Sequence, residues 1–219
     1  MAELALTFLL MAARRIDDHR EALRRPSSRA YQEAHLHGCG RESLRGRTVA
    51  IVGFGRIGRA IASLVKPLGA RVLVHDPYAA RRVSVPLPRL LSESEFLVLA
   101  AGLTDETRGM IDGTALARLP DGATVINVAR GALLDLDALT GEVRRGRLRC
   151  ALDVTDPAEP LPLRHPLRRL PGAVVTPHVG AGALAVRRAM ATIVVDTLER
   201  FFRGERVARV TTAMLDRMT

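Results

Sequence analysis

The chain predicts an α/β fold, a doubly wound parallel sheet of about six strands with flanking helices at both ends. Two observations carry this. From residue 48 onwards, near-continuous apolar runs of strand length alternate with segments of helical length; strands apolar on both faces belong to a parallel sheet covered on both sides. The first of these runs leads directly into Gly53-Phe54-Gly55-Arg56-Ile57-Gly58, a glycine turn that joins a strand to a helix. A chain of 219 residues can bury one sizeable core with helical appendages, hardly two full domains. Aromatic content is 3% with no Trp, so that core is built from Ala, Leu, Val and Ile.

Residues 2–24 read as one helix, apolar at Leu6, Leu9 and Leu10 and charged beyond Arg14, with Pro26 as its stop. Residues 26–46 are polar, hold Gly38, Gly40 and Gly46, and read as an extended arm. Alternation then begins, with a strand over Thr48–Val52, a helix over Arg56–Lys66 and a strand over Arg71–His75. A third strand spans Glu95–Ala101, a short helix Gly113–Leu119 and a fourth strand Ala123–Val128. A helix over Leu136–Arg145 leads to a fifth strand, Leu148–Val154. Residues 155–172, punctuated by Pro157, Pro160, Pro162, Pro166 and Pro171, form a loop. A short sixth strand, Ala173–Thr176, precedes a closing helix over Ala181–Arg203. Six strands are what two mononucleotide-binding halves require.

Net charge is +10, and all but Lys66 of the 33 basic residues are arginine. Nucleic-acid binding is disfavoured because the arginines are scattered and not interleaved with aromatics that stack on bases. Runs such as Arg144-Arg145-Gly146-Arg147 read as solvated faces whose field attracts anions. Cys39 and Cys150 match no metal or redox spacing and read as reduced thiols of a cytoplasmic protein; no metal site is expected. The apolar stretch at the N-terminus is too short to span a bilayer and lacks a basic leader, so no membrane partner is expected.

In the glycine turn, Gly53 permits the tight bend, Gly55 lets backbone approach a pyrophosphate, and Gly58 lets helix and strand pack closely. The amides opening the helix, at Arg56 and Ile57, then face the phosphates. Asp76 ends the next strand, placed to accept the hydroxyls of an adenine ribose and to repel a 2′-phosphate. NAD is therefore expected over NADP, although Arg81 and Arg82 follow closely. Arg130 falls just after the fourth strand, at the carboxyl edge where ligands bind. A guanidinium there can pair with a carboxylate and polarise a carbonyl oxygen; alone, a surface arginine would be the simpler reading. His178 follows the last strand. Glu159, on the preceding loop, can hold one imidazole nitrogen and favour its protonated form, making a general acid and base. Asp153, ending the fifth strand, is placed to meet a nicotinamide carboxamide.

These residues resemble the D-2-hydroxyacid dehydrogenase family along nearly the whole chain. The resemblance rests on the glycine motif, Leu103-Thr104-Asp105-Glu106-Thr107-Arg108-Gly109, Asn127-Val128-Ala129-Arg130-Gly131, Ala151-Leu152-Asp153-Val154, Glu159-Pro160-Leu161 and Thr176-Pro177-His178. It implies Arg130, Glu159 and His178 as a catalytic trio acting on a small 2-oxoacid or 2-hydroxyacid. It also implies an NAD site including Gly53, Gly55, Arg56, Ile57, Gly58, Asp76, Ala101, Gly102, Thr107, Val128, Ala129, Arg130, Asp153, His178 and Gly180. Glu159 argues against the formate-oxidising branch, which typically has Gln there. Gly102 stands where the family usually has Pro. The division expected is a crossover helix and arm over 1–46, a Rossmann-type dinucleotide-binding domain over 47–180, and a C-terminal helix and tail over 181–219. Family members precede this with a substrate domain, which the sequence is expected to lack, and pair as homodimers. A catalytically silent NAD-binding or dimerising module is the alternative reading.

Overall fold

The computed structural model describes residues 1–24, 43–80, 82–182 and 184–207. The expected arm lies mostly outside these residues, as does Arg81. Six strands form one parallel sheet: β1 (Thr48–Val52), β2 (Arg71–His75), β3 (Phe96–Leu99), β4 (Thr124–Asn127), β5 (Arg149–Leu152) and β6 (Ala173–Val175). Their order is β2-β1-β3-β4-β5-β6. The expected α/β class holds, but the sheet does not divide three and three: β2 alone lies beyond β1 among the described residues. The topological switch, where a crevice opens at the carboxyl edge, falls between β1 and β3.

Side-chain alternation explains the double winding. Val49 and Ile51 of β1, with Phe96 and Val98 of β3, bury one face against α1 (Ala2–Arg14) and α3 (Arg56–Val65). Ala50, Val52, Leu97 and Leu99 bury the other face. There they meet α4 (Leu87–Ser92), α5 (Gly113–Ala117) and α6 (Leu136–Arg144). Helix α3 buries Gly58, Ile61, Ala62 and Val65, a stripe at helical spacing. Asp112 and Asp135 cap α5 and α6 by accepting from the amides of Ala115 and Ala138.

Three expectations change. The first helix is two: α1 ends at Arg15, whose φ of 49° is left-handed, and α2 (Ile16–Leu23) follows in a new direction. No residue of α2 is buried, so packing does not hold the two in line; Asp18 instead pairs with Arg149 of β5 at 2.9 Å. Helix α4 was not expected between Asp76 and Glu95. Its prolines, Pro86 and Pro88, hide the helical pattern, yet proline suits a first helical turn because the amide it lacks has no partner there. Strands β3, β4 and β5 stop short of their expected ends, so that Ala100, Ala101, Val128, Asp153 and Val154 belong to loops. The closing helix, α7, spans Leu184–Phe202.

The register makes the carboxyl edge level. His75 pairs with Val52, Val52 with Leu99, Leu99 with Asn127, Asn127 with Leu152, and Leu152 with Val175. Every residue with predicted chemistry follows this row, along one rim.

Candidate active site

At one end of the rim, the glycine turn is set by its contacts. Gly53 has φ of 92°, and a Cβ on it would lie 2.5 Å from the amide nitrogen of Ala101. A Cβ on Gly58 would lie 2.0 Å from the Gly53 carbonyl oxygen, so the close helix–strand approach is real. Gly55 is different: nothing lies within 4 Å of a Cβ built on it, and no side chain caps α3. The first amides of that helix therefore face open space, the cradle a pyrophosphate needs. Arg56 and Ile57 begin the helix, exposed and half-buried respectively.

Beside this turn is a cavity of about 430 Å³ lined by Gly53, Gly55, Asp76, Ala101, Gly102 and Thr107, among others. The Asp76 carboxylate accepts from the amides of Phe54 at 2.7 Å and Tyr78 at 2.9 Å, which aims it at the glycine turn. Thr107 shapes the opposite wall; its hydroxyl donates to the Gly102 carbonyl at 2.8 Å and accepts from the Thr104 amide at 2.8 Å. The residues fit an adenosine diphosphate moiety: an apolar slot, a carboxylate for ribose hydroxyls, and free amides for phosphate.

Further along the rim, Asn127 is fully buried and fixes the turn after β4. Its amide group donates to the Arg130 carbonyl at 2.9 Å, and its side-chain oxygen accepts from the Ala129 amide at 3.0 Å. Val128 and Ala129 are buried under this turn, while Arg130 is exposed and donates from Nη1 to the Ala129 carbonyl. A Cβ on Gly131 would lie 2.2 Å from the Thr155 carbonyl carbon. This close approach lays the Arg130 turn against the start of the loop that carries Glu159. That loop is bent by Thr155, which donates to the Ala158 carbonyl at 2.6 Å, and pinned by buried Leu161, whose carbonyl accepts from Arg168.

Glu159 Oε1 receives His178 Nδ1 in direct contact. An ionised carboxylate can only accept, so Nδ1 carries the proton and Nε2 is left for another partner. Asp153 holds the histidine loop. Its carboxylate, 1% exposed, accepts from the Thr176 hydroxyl, the Val179 amide at 2.8 Å and the Gly180 amide at 2.9 Å. Its carbonyl accepts from the His178 amide at 2.9 Å. His178 sits at φ of 57°, unusual for a non-glycine residue, and these bonds keep it there.

Of the predicted residues, the structure joins Glu159 to His178 and gathers the six named cavity-lining residues. It ties Asp153 to Gly180 and sets Arg130 on the neighbouring strand end. No described contact links Arg130 to the other two. Asp153, expected to face a carboxamide, directs its oxygens into the 176–180 loop. Asn127, Thr176, Tyr78 and Glu106 take positions here that the sequence did not announce. Asn127, Thr176 and Glu106 lie within the motifs at 127–131, 176–178 and 103–109, and Tyr78 lies two residues past Asp76, but nothing local revealed their tertiary partners. Among the described residues, no group of His, Cys, Asp or Glu is placed to hold a metal, and no helix is long and apolar enough to cross a membrane.

A switch-point crevice with an open helix N-terminus and an acid at the second strand defines a Rossmann-like dinucleotide-binding protein. The family model for the NAD-binding domain of D-isomer specific 2-hydroxyacid dehydrogenases matches residues 6–180, and the chain belongs to that family. It is 34% identical over 213 residues to human glyoxylate reductase/hydroxypyruvate reductase, covering 93% of this chain and 64% of that one. It is 35% identical to D-3-phosphoglycerate dehydrogenase of Mycobacterium leprae, covering 93% of this chain and 39% of that one. Among solved structures, TT0316 protein from Thermus thermophilus superposes with a TM-score of 0.80 at 38% identity, over 94% of this chain and 65% of that one. NAD-dependent formate dehydrogenase from Staphylococcus aureus in complex with NAD superposes with a TM-score of 0.78 at 30% identity, over 94% and 63%. The chain thus spans less than two thirds of the length of these relatives.

Proposed function

We propose that this chain is the cofactor-binding and acid–base part of an NAD-dependent oxidoreductase. The reaction is hydride transfer between nicotinamide and a small D-2-hydroxy acid or its 2-oxoacid, in the manner of a glyoxylate/hydroxypyruvate reductase. The single observation carrying this is the Glu159–His178 contact, held on the same rim as an open glycine turn. A dinucleotide, when bound there, would supply or take the hydride. Within the chain, the α3 amides hold pyrophosphate, Asp76 takes the ribose hydroxyls, and its charge favours NAD over NADP. Arg130, swung from its Ala129 carbonyl, pairs with the substrate carboxylate and polarises the 2-carbonyl. His178 delivers a proton from Nε2 to the carbonyl oxygen, or removes one from the hydroxyl, while Glu159 steadies Nδ1–H.

The test is an NADH titration followed by turnover of glyoxylate, hydroxypyruvate and pyruvate by the purified chain. NADH binding with weak turnover is expected, and His178→Ala lowers that turnover about 10²- to 10⁴-fold. Failure to bind NADH refutes the proposal. Normal NADH binding with no turnover of any oxoacid favours the second reading, a silent NAD-binding and dimerising module. The apolar surface that α7 leaves open, Ile193 and Phe201 included, is the observation on its side. A homodimer is proposed under either reading.

A further inference from the structure

The adenosine end of the cavity carries an electrostatic feature that Asp76 alone does not account for. Among the described residues, its charged lining is Asp76 and Glu106, with no Lys or Arg, in a chain whose net charge is +10. Tyr78 ties the two acids together. Its amide donates to Asp76 Oδ1 at 2.9 Å, and its hydroxyl donates to Glu106 Oε2 at 2.8 Å. Asp76 follows β2 and Glu106 follows β3, with β1 between those strands. The Tyr78–Glu106 bond therefore spans the crevice mouth from one wall to the other. Glu106 is on an exposed loop, lines the cavity, and has its carboxylate held there by the phenol of Tyr78.

Building on the dinucleotide-binding reading above, we propose that Glu106, positioned by Tyr78, is a second determinant of cofactor choice. It adds to Asp76 a carboxylate that disfavours any dinucleotide bearing a 2′-phosphate. A phosphate monoester carries about −1.5 to −2 charges at neutral pH, so a second fixed acid at the same mouth raises its cost of entry. NADH, with a hydroxyl at that position, meets no such repulsion and can donate to either acid.

The experiment measures Kd for NADH and NADPH by cofactor fluorescence, with 5′-AMP and 2′,5′-ADP as competitors. Wild type, Glu106→Gln and Tyr78→Phe are compared at about 50 mM and about 500 mM salt, since screening separates charge effects from shape effects. Glu106→Gln is expected to lower the NADPH-to-NADH Kd ratio about 5-fold at low salt, and by less at high salt. Tyr78→Phe, which frees Glu106 but keeps the ring, shifts the ratio the same way by a smaller factor. The ratio for 2′,5′-ADP over 5′-AMP follows both. An unchanged ratio in Glu106→Gln overturns the proposal, as does a fall that persists at high salt. Should the folded wild type take up neither NADH nor 5′-AMP, the dinucleotide reading falls first and this inference with it.

Discussion

Asp153 is a buried carboxylate whose partners are a hydroxyl and two amides from the far side of the β5–β6 connection. Removing it strands the Val179 and Gly180 amides and releases His178 from its left-handed backbone. Asp153→Ala is expected to cost about 2 kcal/mol in urea unfolding and to raise hydrogen exchange at Val179 and Gly180 selectively. Cys150 is the other residue whose setting dictates behaviour. Burial pushes its thiol from an ordinary 9.0 up to about 12, against a smaller opposing pull from Arg149. The folded thiol thus stays protonated while the unfolded one ionises. Its contribution to stability is complete below pH 9.0 and is lost as pH rises from there towards about 12. In a Cys39→Ser background, Cys150 should resist a thiol reagent in native protein near pH 8 and react once urea is added; fast native reaction would contradict this. The carboxylate of Asp76 was legible from its place after a strand, whereas the partners of Asp153 were not, because they arrive from another strand.

Helix α3 shows how an element converts sequence into a site. Its stripe of Gly58, Ile61, Ala62 and Val65 could be read without coordinates, and the glycine spacing fixed where it begins. Gly58→Ala would drive a Cβ to 2.0 Å from the Gly53 carbonyl, a backbone atom that cannot yield without disturbing the first glycine. The expected cost is about 2–3 kcal/mol of stability with weaker NADH binding, read by thermal unfolding and titration. A variant as stable as the parent would mean that the turn relaxes freely. The α1–α2 break was hidden for the opposite reason: each half has reasonable helical composition, and neither the left-handed Arg15 between them nor the distant Asp18–Arg149 pair has a local signal. Helix α4 was hidden by its prolines, although their position at its start was the available signal.

At the scale of the molecule, burial is uneven. The sheet is covered on both faces, yet α7 exposes Met190, Ile193, Val194, Val195, Leu198, Phe201 and Phe202, with Phe202 81% exposed. A contiguous apolar surface of this kind promotes association. The double variant Ile193→Glu with Leu198→Glu should lower light scattering and hydrophobic-dye binding at high protein concentration; unchanged scattering would show that α7 does not drive association. Fold class, the six strands of the described residues and which residues follow the strand ends were legible along the chain. Those depend on local signals: apolar runs, glycine spacing, and polar residues placed just past strand ends. The strand order, the inward turn of Asp153 and the Tyr78–Glu106 bridge emerge only in three dimensions. Each of these joins segments separated by many residues, and such contacts are set by how the strands line up rather than by any short stretch of chain.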